Sequence, residues 1–318
     1  MTVHYHLDQL PYFRNAIITI GTFDGVHAGH RQILQQLKDE AKKHNGETVI
    51  ITFNPHPRRI VKGVASAVQL LNTLDEKIGL LQAQGIDHLV VVPFTTAFSE
   101  QPANEYVENF LVRRFHPHTI VIGYDHHFGY LRQGNFHLLE AMKNTFNYQV
   151  KEIPEHVLQQ STISSTKIRA ALLNSRIQEA NTFLGYTYFF EGLVAEGNKL
   201  GRTIGYPTAN MQVADPEKLI PGNAVYAVDV AINDPQYSGQ RFKGMMNIGI
   251  RPTVNGTQRS IEVNLFDFDA DIYGYTIQVF VKEKLRDEQK FNGLEALKEQ
   301  LRKDKEAAAS IILPLSNK

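Results

Sequence analysis

Through the first half of the chain, short apolar runs of strand length alternate with segments whose apolar residues recur at helical spacing. Residues 17–20 form a β-prone run, and residues 31–43 carry helix formers with Ile33, Leu34 and Leu37 on one face. Residues 48–53, 88–92, 119–122 and 148–153 read as further short strands, apolar enough to be buried on both sides. Thr73-Leu74-Asp75-Glu76 is a capping box for a helix running toward Gln84, with Gly85 as its stop. The alternation predicts a doubly wound parallel sheet. In such sheets ligands bind beyond the carboxyl ends of the strands, where the 21–30 segment, Asn54-Pro55-His56-Pro57 and Gly123-Tyr124-Asp125 all fall.

After Ile163-Ser164-Ser165-Thr166-Lys167-Ile168-Arg169 the pattern gives two helical segments, and from Tyr186 the period becomes two. Val225, Ala227, Asp229 and Ala231 alternate with Tyr226, Val228, Val230 and Ile232, and residues 242–248, 260–268 and 276–281 behave alike. Strands in succession predict a small antiparallel barrel. One helix closes the chain, with Asn292 and Glu295 as its cap and Leu294, Leu297 and Leu301 as its apolar stripe. The expected fold class is therefore α/β plus β, with domains at 1–184 and 185–318.

Composition supports that division. At 318 residues two cores are more natural than one, and all 13 histidines lie between His4 and His156. Lys plus Arg equals Asp plus Glu at 33 each, which removes bulk charge as a means of holding a nucleic-acid polymer. A barrel that binds single strands is the reading from another class, and it needs a basic groove with exposed aromatics. Without cysteine there is no disulfide, thiolate nucleophile or cysteine zinc site. No basic segment followed by an apolar one opens the chain, and no run approaches membrane-spanning length, so a soluble cytoplasmic protein with no membrane partner is expected. Oligomeric state is not legible.

The sharpest chemical signal is Gly21-Thr22-Phe23-Asp24-Gly25-Val26-His27-Ala28-Gly29-His30, where a strand hands over to a helix. Free backbone N–H groups and the positive helix end favour an anion there. Gly21 and Phe23 belong to the backbone that approaches it, and His27 and His30 can hydrogen-bond oxygens whose charge grows during nucleotidyl transfer. A zinc site is disfavoured because no third ligand is fixed nearby.

A second cluster lies in residues 197–210: Gly197, Gly201 and Gly205 recur every fourth residue, with Lys199 and Arg202 between them, leading into Pro207-Thr208-Ala209-Asn210. Flexible backbone with cations suits a nucleoside triphosphate. Thr208 and Asn210 offer oxygens to Mg²⁺, and Glu262, opposite Ile261 and Val263 in a strand, can accept the proton of an attacking hydroxyl. Singly these are a loop, a turn and a solvent-facing carboxylate; jointly they supply the parts of phosphoryl transfer. No Gly-Lys-Ser/Thr precedes a helix, so this is not a Walker A loop.

Across nearly its whole length the chain resembles the bacterial bifunctional riboflavin kinase/FMN adenylyltransferases. The likeness rests on GTFDGVHAGH, TFNPHP, GYDHHFG, ISSTKIRAAL, GRTIGYPTAN, VYAV, NIGIRPT, EVNLFDFD and the 285–288 run LRDE, in that order. It implies that the first module joins FMN to the AMP part of ATP. His27 and His30 would steady the α-phosphate and pyrophosphate, Ser165, Thr166 and Arg169 the β- and γ-phosphates, and Asp125 the ribose; Pro55, Pro57 and Phe128 would border the flavin. The second module would phosphorylate riboflavin, with Thr208 and Asn210 on Mg²⁺, Glu262 as base, and Arg286 of the LRDE run at the flavin. Four positions depart from the pattern: His126 where an aromatic is usual, His127 for a basic residue, Asn264 for histidine and Ala224 for glycine. They motivate an alternative, an FMN adenylyltransferase whose barrel only binds flavin or regulates.

Overall fold

The computed structural model describes residues 1–61, 69–154, 163–197, 200–253 and 256–312. The chain divides into two units, Met1–Ser165 and Thr166–Lys318.

The first unit is built on a six-stranded parallel sheet. Its strands are β1 (Thr2–His4), β2 (Ile17–Ile20), β3 (Thr48–Asn54), β4 (His88–Pro93), β5 (Thr119–Gly123) and β6 (Gln149–Ile153), ordered β1-β4-β3-β2-β5-β6. Strand alternation explains why both faces are covered. Ile18, Ile20, Val49, Ile51, Val90, Val92, Ile120 and Ile122 enter one core, while Ile17, Ile50, Leu89, Val91 and Val121 enter another. The second core is closed by α1 (Ala28–His44) through Leu34 and Leu37, and by α3 (Leu74–Gln82) through Leu81. A single-turn α2 (Pro57–Ile60) follows β3. The predicted box at Thr73 is formed reciprocally with Glu76. Chain direction from β2 leads to β3 on one side while β5 lies on the other, so the order reverses beside the loop after β2.

A helix, Ser165–Leu173, begins at the last residue of the first unit, and in the second it is followed by the helix Ile177–Leu184. The ISSTKIR motif therefore lies partly inside the first helix instead of preceding it. A closed antiparallel barrel follows, made by β7 (Phe189–Ala195), β8 (Ala209–Gln212), β9 (Ala224–Ile232), β10 (Phe242–Thr253), β11 (Gly256–Leu265) and β12 (Thr276–Arg286) in the order β10-β11-β8-β7-β12-β9. The strand expected to reach Phe268 stops at Leu265, because Asp267 takes a positive φ of 53°. Ala209 and Asn210 form strand β8, not a turn.

The closing helix, Leu294–Ile311, corrects two expectations. Its N-cap is Gly293, with no side-chain cap bond, so Asn292 does not cap it. Leu294 is 48% exposed, and the buried stripe lies further along, where Ala308 and Ile312, with Leu301 and Ile311, pack on Ala227, Met245 and Phe266. A cap residue matters less where tertiary packing of the later turns holds the helix.

Candidate active sites

In the first unit the loop after β2 is held in an uncommon backbone. Phe23 and Val26 take φ of 47° and 36°, yet both are buried and packed in the core beneath α1. Such strain persists only where the surroundings over-determine it. Gly21 lies against the Phe23 ring, where a Cβ would stand 3.1 Å from Cε2. The Asp24 carboxylate accepts the N–H groups of Leu71 (2.9 Å) and Asn72 (3.3 Å), tying this loop to the segment before α3.

His27 is the N-cap of α1, its Nδ1 accepting the N–H of His30 at 3.4 Å, and the two rings stack with centroids 3.7 Å apart. His30 also meets Phe23 at 5.1 Å, and its Nδ1 is buried with no hydrogen-bond partner among the described residues. Burial, followed by the charges of His27 and Lys77, holds the His30 pKa well below the ordinary 6.5. The imidazole is therefore neutral at physiological pH and can donate one N–H. Ser165 reaches the same loop, its hydroxyl donating to the Asp24 carbonyl at 2.9 Å. Thr166 and Arg169 stand one turn apart on the helix that Ser165 opens.

Asp125 follows β5 and is exposed, its carbonyl bonded to His127 Nδ1 at 2.9 Å. Pro57 is the first residue of α2, and Pro55, after a cis Asn54–Pro55 bond, is half-buried beside it. Phe128 is buried in the core, stacked on Tyr106 at 5.1 Å, so it shapes the wall from behind. Sequence reading missed the half-buried triplet Phe53, Phe94 and Phe98, whose ring centroids lie 5.3 to 5.8 Å apart at the carboxyl ends of β3 and β4. The Phe94–Phe98 spacing after a strand is the signal that was available.

In the barrel, three strands bring the polar groups into one row. Glu262 on β11 is in register with Asn210 on β8 and with Asn247 on β10. Thr208 Oγ1 lies 3.5 Å from Glu262 Oε2. Asn264, two residues on, donates to the Pro207 carbonyl at 2.6 Å and fixes the Pro207–Thr208 segment to the strand. Asn264, which stands where histidine is usual, is thus hydrogen-bonded in this chain. Gly197 is needed because a Cβ there would stand 2.0 Å from Asn210 Nδ2. Gly201 sits in a single helical turn, Leu200–Thr203, and Gly205 follows it at φ 84°. Lys199 lies outside the described residues. Asn247 and Glu288 were missed by sequence reading; a Cβ on Gly249 would stand 2.0 Å from Glu288 Oε1 and 3.2 Å from Asn247 Nδ2. The available signal for Asn247 was its place within NIGIRPT. Arg286 is held by Asp304, which its Nε and Nη2 clasp at 3.0 and 2.7 Å, and it lies 5.5 Å from the Phe291 ring.

Comparison with known proteins agrees with this division. Residues 10–167 match the family model described as FAD synthetase, and residues 184–312 the one described as Riboflavin kinase. Three proteins named Bifunctional riboflavin kinase/FMN adenylyltransferase are similar along most of the chain. The Haemophilus influenzae protein is 40% identical over 92% of both chains, and the Listeria monocytogenes protein 36% identical over 95% of this chain and 94% of its own. The Escherichia coli protein is 35% identical over 94% and 93%. A crystal structure described as a macrolide-efflux protein from Streptococcus pneumoniae shares the fold, with a TM-score of 0.85 and 30% identity over 97% of this chain and 98% of that one. Among the described residues of this chain no helix is long and apolar enough to cross a membrane. A strained His-x-x-His corner on a parallel sheet, a Thr, Asn and Glu row in a barrel and the matches to both halves lead to one conclusion: the chain belongs to the bifunctional riboflavin kinase/FMN adenylyltransferase family.

Proposed function

We propose that this chain phosphorylates riboflavin to FMN and adenylylates FMN to FAD, each time with ATP. The observation that carries the reading is that the chain holds two sets of phosphate-directed groups, one at the loop after β2 and one in the barrel, and that each half resembles the family of the matching activity. The riboflavin kinase likeness of the second unit favours a working kinase over a barrel that only binds or regulates.

For adenylylation, a phosphate oxygen of FMN attacks the α-phosphorus of ATP. The new P–O bond forms as the bond to the β-phosphate bridging oxygen breaks, and pyrophosphate carries away the charge. The α1 N-terminus supplies N–H groups to the phosphate oxygens, and neutral His30 adds a donor without the repulsion that two adjacent cations would suffer. Catalysis is alignment plus charge stabilisation, and no enzyme-bound intermediate is required. Phe53, Phe94 and Phe98 beside Pro55 offer the isoalloxazine ring an apolar wall.

For phosphorylation, Glu262 accepts the proton of the ribityl 5′-hydroxyl as its oxygen attacks the γ-phosphorus and ADP leaves. Thr208 and Asn210 stand beside it, and their two neutral oxygens fit Mg²⁺ that would take its other ligands from phosphates and water, with Glu262 kept for the proton. When bound, Mg²⁺ neutralises charge between the β- and γ-phosphates.

Two variants of the full chain test the assignment. Glu262→Gln should lower FMN formation from riboflavin by at least about a hundredfold while FAD formation from supplied FMN is kept; His30→Ala should do the reverse. Loss of both products in either folded variant would contradict separate sites.

A further inference from the structure

We propose that Lys77 is a further substrate-binding residue of the adenylylation site, its ammonium contacting the polyphosphate of ATP and the departing pyrophosphate. Lys77 stands on α3 between Leu74 and Leu81, on the face that packs Leu81 beneath the strained loop and α1. It occupies an apolar position in the helical pattern, and it is only 6% exposed. A lysine is almost never buried to that extent without a counter-charge. Yet among the described residues Lys77 Nζ has no hydrogen bond and no ion pair.

Helical side chains lean toward the N-terminus, which for α3 is the end joined to Asp24 through the N–H groups of Leu71 and Asn72. The Lys77 charge is felt by His30, and Asp24 is the acid that partly supports it. Both backbone bonds to Asp24 fall on its Oδ1, and its carboxylate acts on the Lys77 ammonium through its charge. His30 Nδ1, buried and without a partner, belongs to the same neighbourhood. A buried cation that meets only the charge of Asp24, and an unsatisfied imidazole nitrogen, both beside a helix N-terminus, suit one polyanion. Burial lowers the Lys77 pKa, and an arriving polyphosphate would raise it again. The competing explanation is that Lys77 only balances Asp24.

The inference rests on the adenylylation reading, and the experiment separates the two. Pyrophosphate binding is measured by calorimetry on the full chain, and FAD formation from FMN and riboflavin phosphorylation are assayed on the same samples. Lys77→Met, which keeps the linear apolar stem, should weaken pyrophosphate binding by at least about tenfold and slow FAD formation by about a hundredfold. Riboflavin phosphorylation should stay within about twofold, and Lys77→Arg should recover most of the pyrophosphate affinity. A folded Lys77→Met chain with unchanged pyrophosphate affinity and only a lower Tm would overturn the proposal in favour of the counter-charge. Should that variant fail to fold, Lys77→Arg and Lys77→Gln carry the comparison, and equal pyrophosphate affinity in both is the overturning result. A wild-type chain that neither binds pyrophosphate nor forms FAD would instead overturn adenylylation itself.

Discussion

His126 follows β5 with its Nε2 buried and without a hydrogen-bond partner among the described residues. Desolvation dominates its titration: the pKa falls from 6.5 to about 4, with Asp125 opposing the shift and His127 and Arg132 adding to it. Between those values the unfolded chain binds a proton here that the folded chain does not. The stability His126 contributes is thus complete above pH 6.5 and is lost as pH falls toward about 4, at roughly 1.4 kcal/mol per pH unit. His126→Phe, which supplies the aromatic that the family usually has, should flatten the decline of Tm between pH 6.5 and 4.5 relative to wild type. Equal slopes would contradict a His126 buried in its neutral form. At this scale the sequence exposed groups that announce themselves by motif, such as His27, His30 and Glu262. It hid Lys77, because a lysine at an apolar helical position reads as a break in the stripe until its burial is seen.

Among the elements, the sheet strands were legible because both faces are buried and the runs are apolar throughout, as in β2 and β5. Three-residue β1 carries only Thr2, Val3 and His4 and joins β4 at the edge, so no periodicity marks it. The start of the closing helix was misread for a related reason: Asn292 has cap chemistry, but Gly293 at φ 101° makes the turn. What anchors that helix is the Arg286–Asp304 pair, invisible in sequence because its members lie on different elements. Asp304 is 3% exposed and also accepts from Gln300 at 2.9 Å. Removing the guanidinium leaves a buried carboxylate without its counter-charge. Arg286→Ala should therefore destabilise the second unit by about 3 kcal/mol in denaturant unfolding. A loss below about 0.5 kcal/mol would show that the pair behaves like an exposed one.

For the whole molecule, composition and period together pointed to two architectures in one chain, and the motifs to two chemistries. The histidines that serve the sheet unit end at His156, and the alternation that builds the barrel begins after Tyr186. Two of the four departures from the family pattern are packed within the barrel: Asn264 donates a hydrogen bond to Pro207, and Ala224 is buried within β9 opposite Ile248. The joint activity is tested most directly by incubating the wild-type chain with riboflavin, ATP and Mg²⁺ and separating the flavins over time, beside a reaction started from FMN. The account predicts that FMN appears first and then gives way to FAD, with pyrophosphate released in step with FAD. FAD formed only from supplied FMN would contradict the kinase assignment of Thr208, Asn210 and Glu262, and absence of both products would contradict the account as a whole.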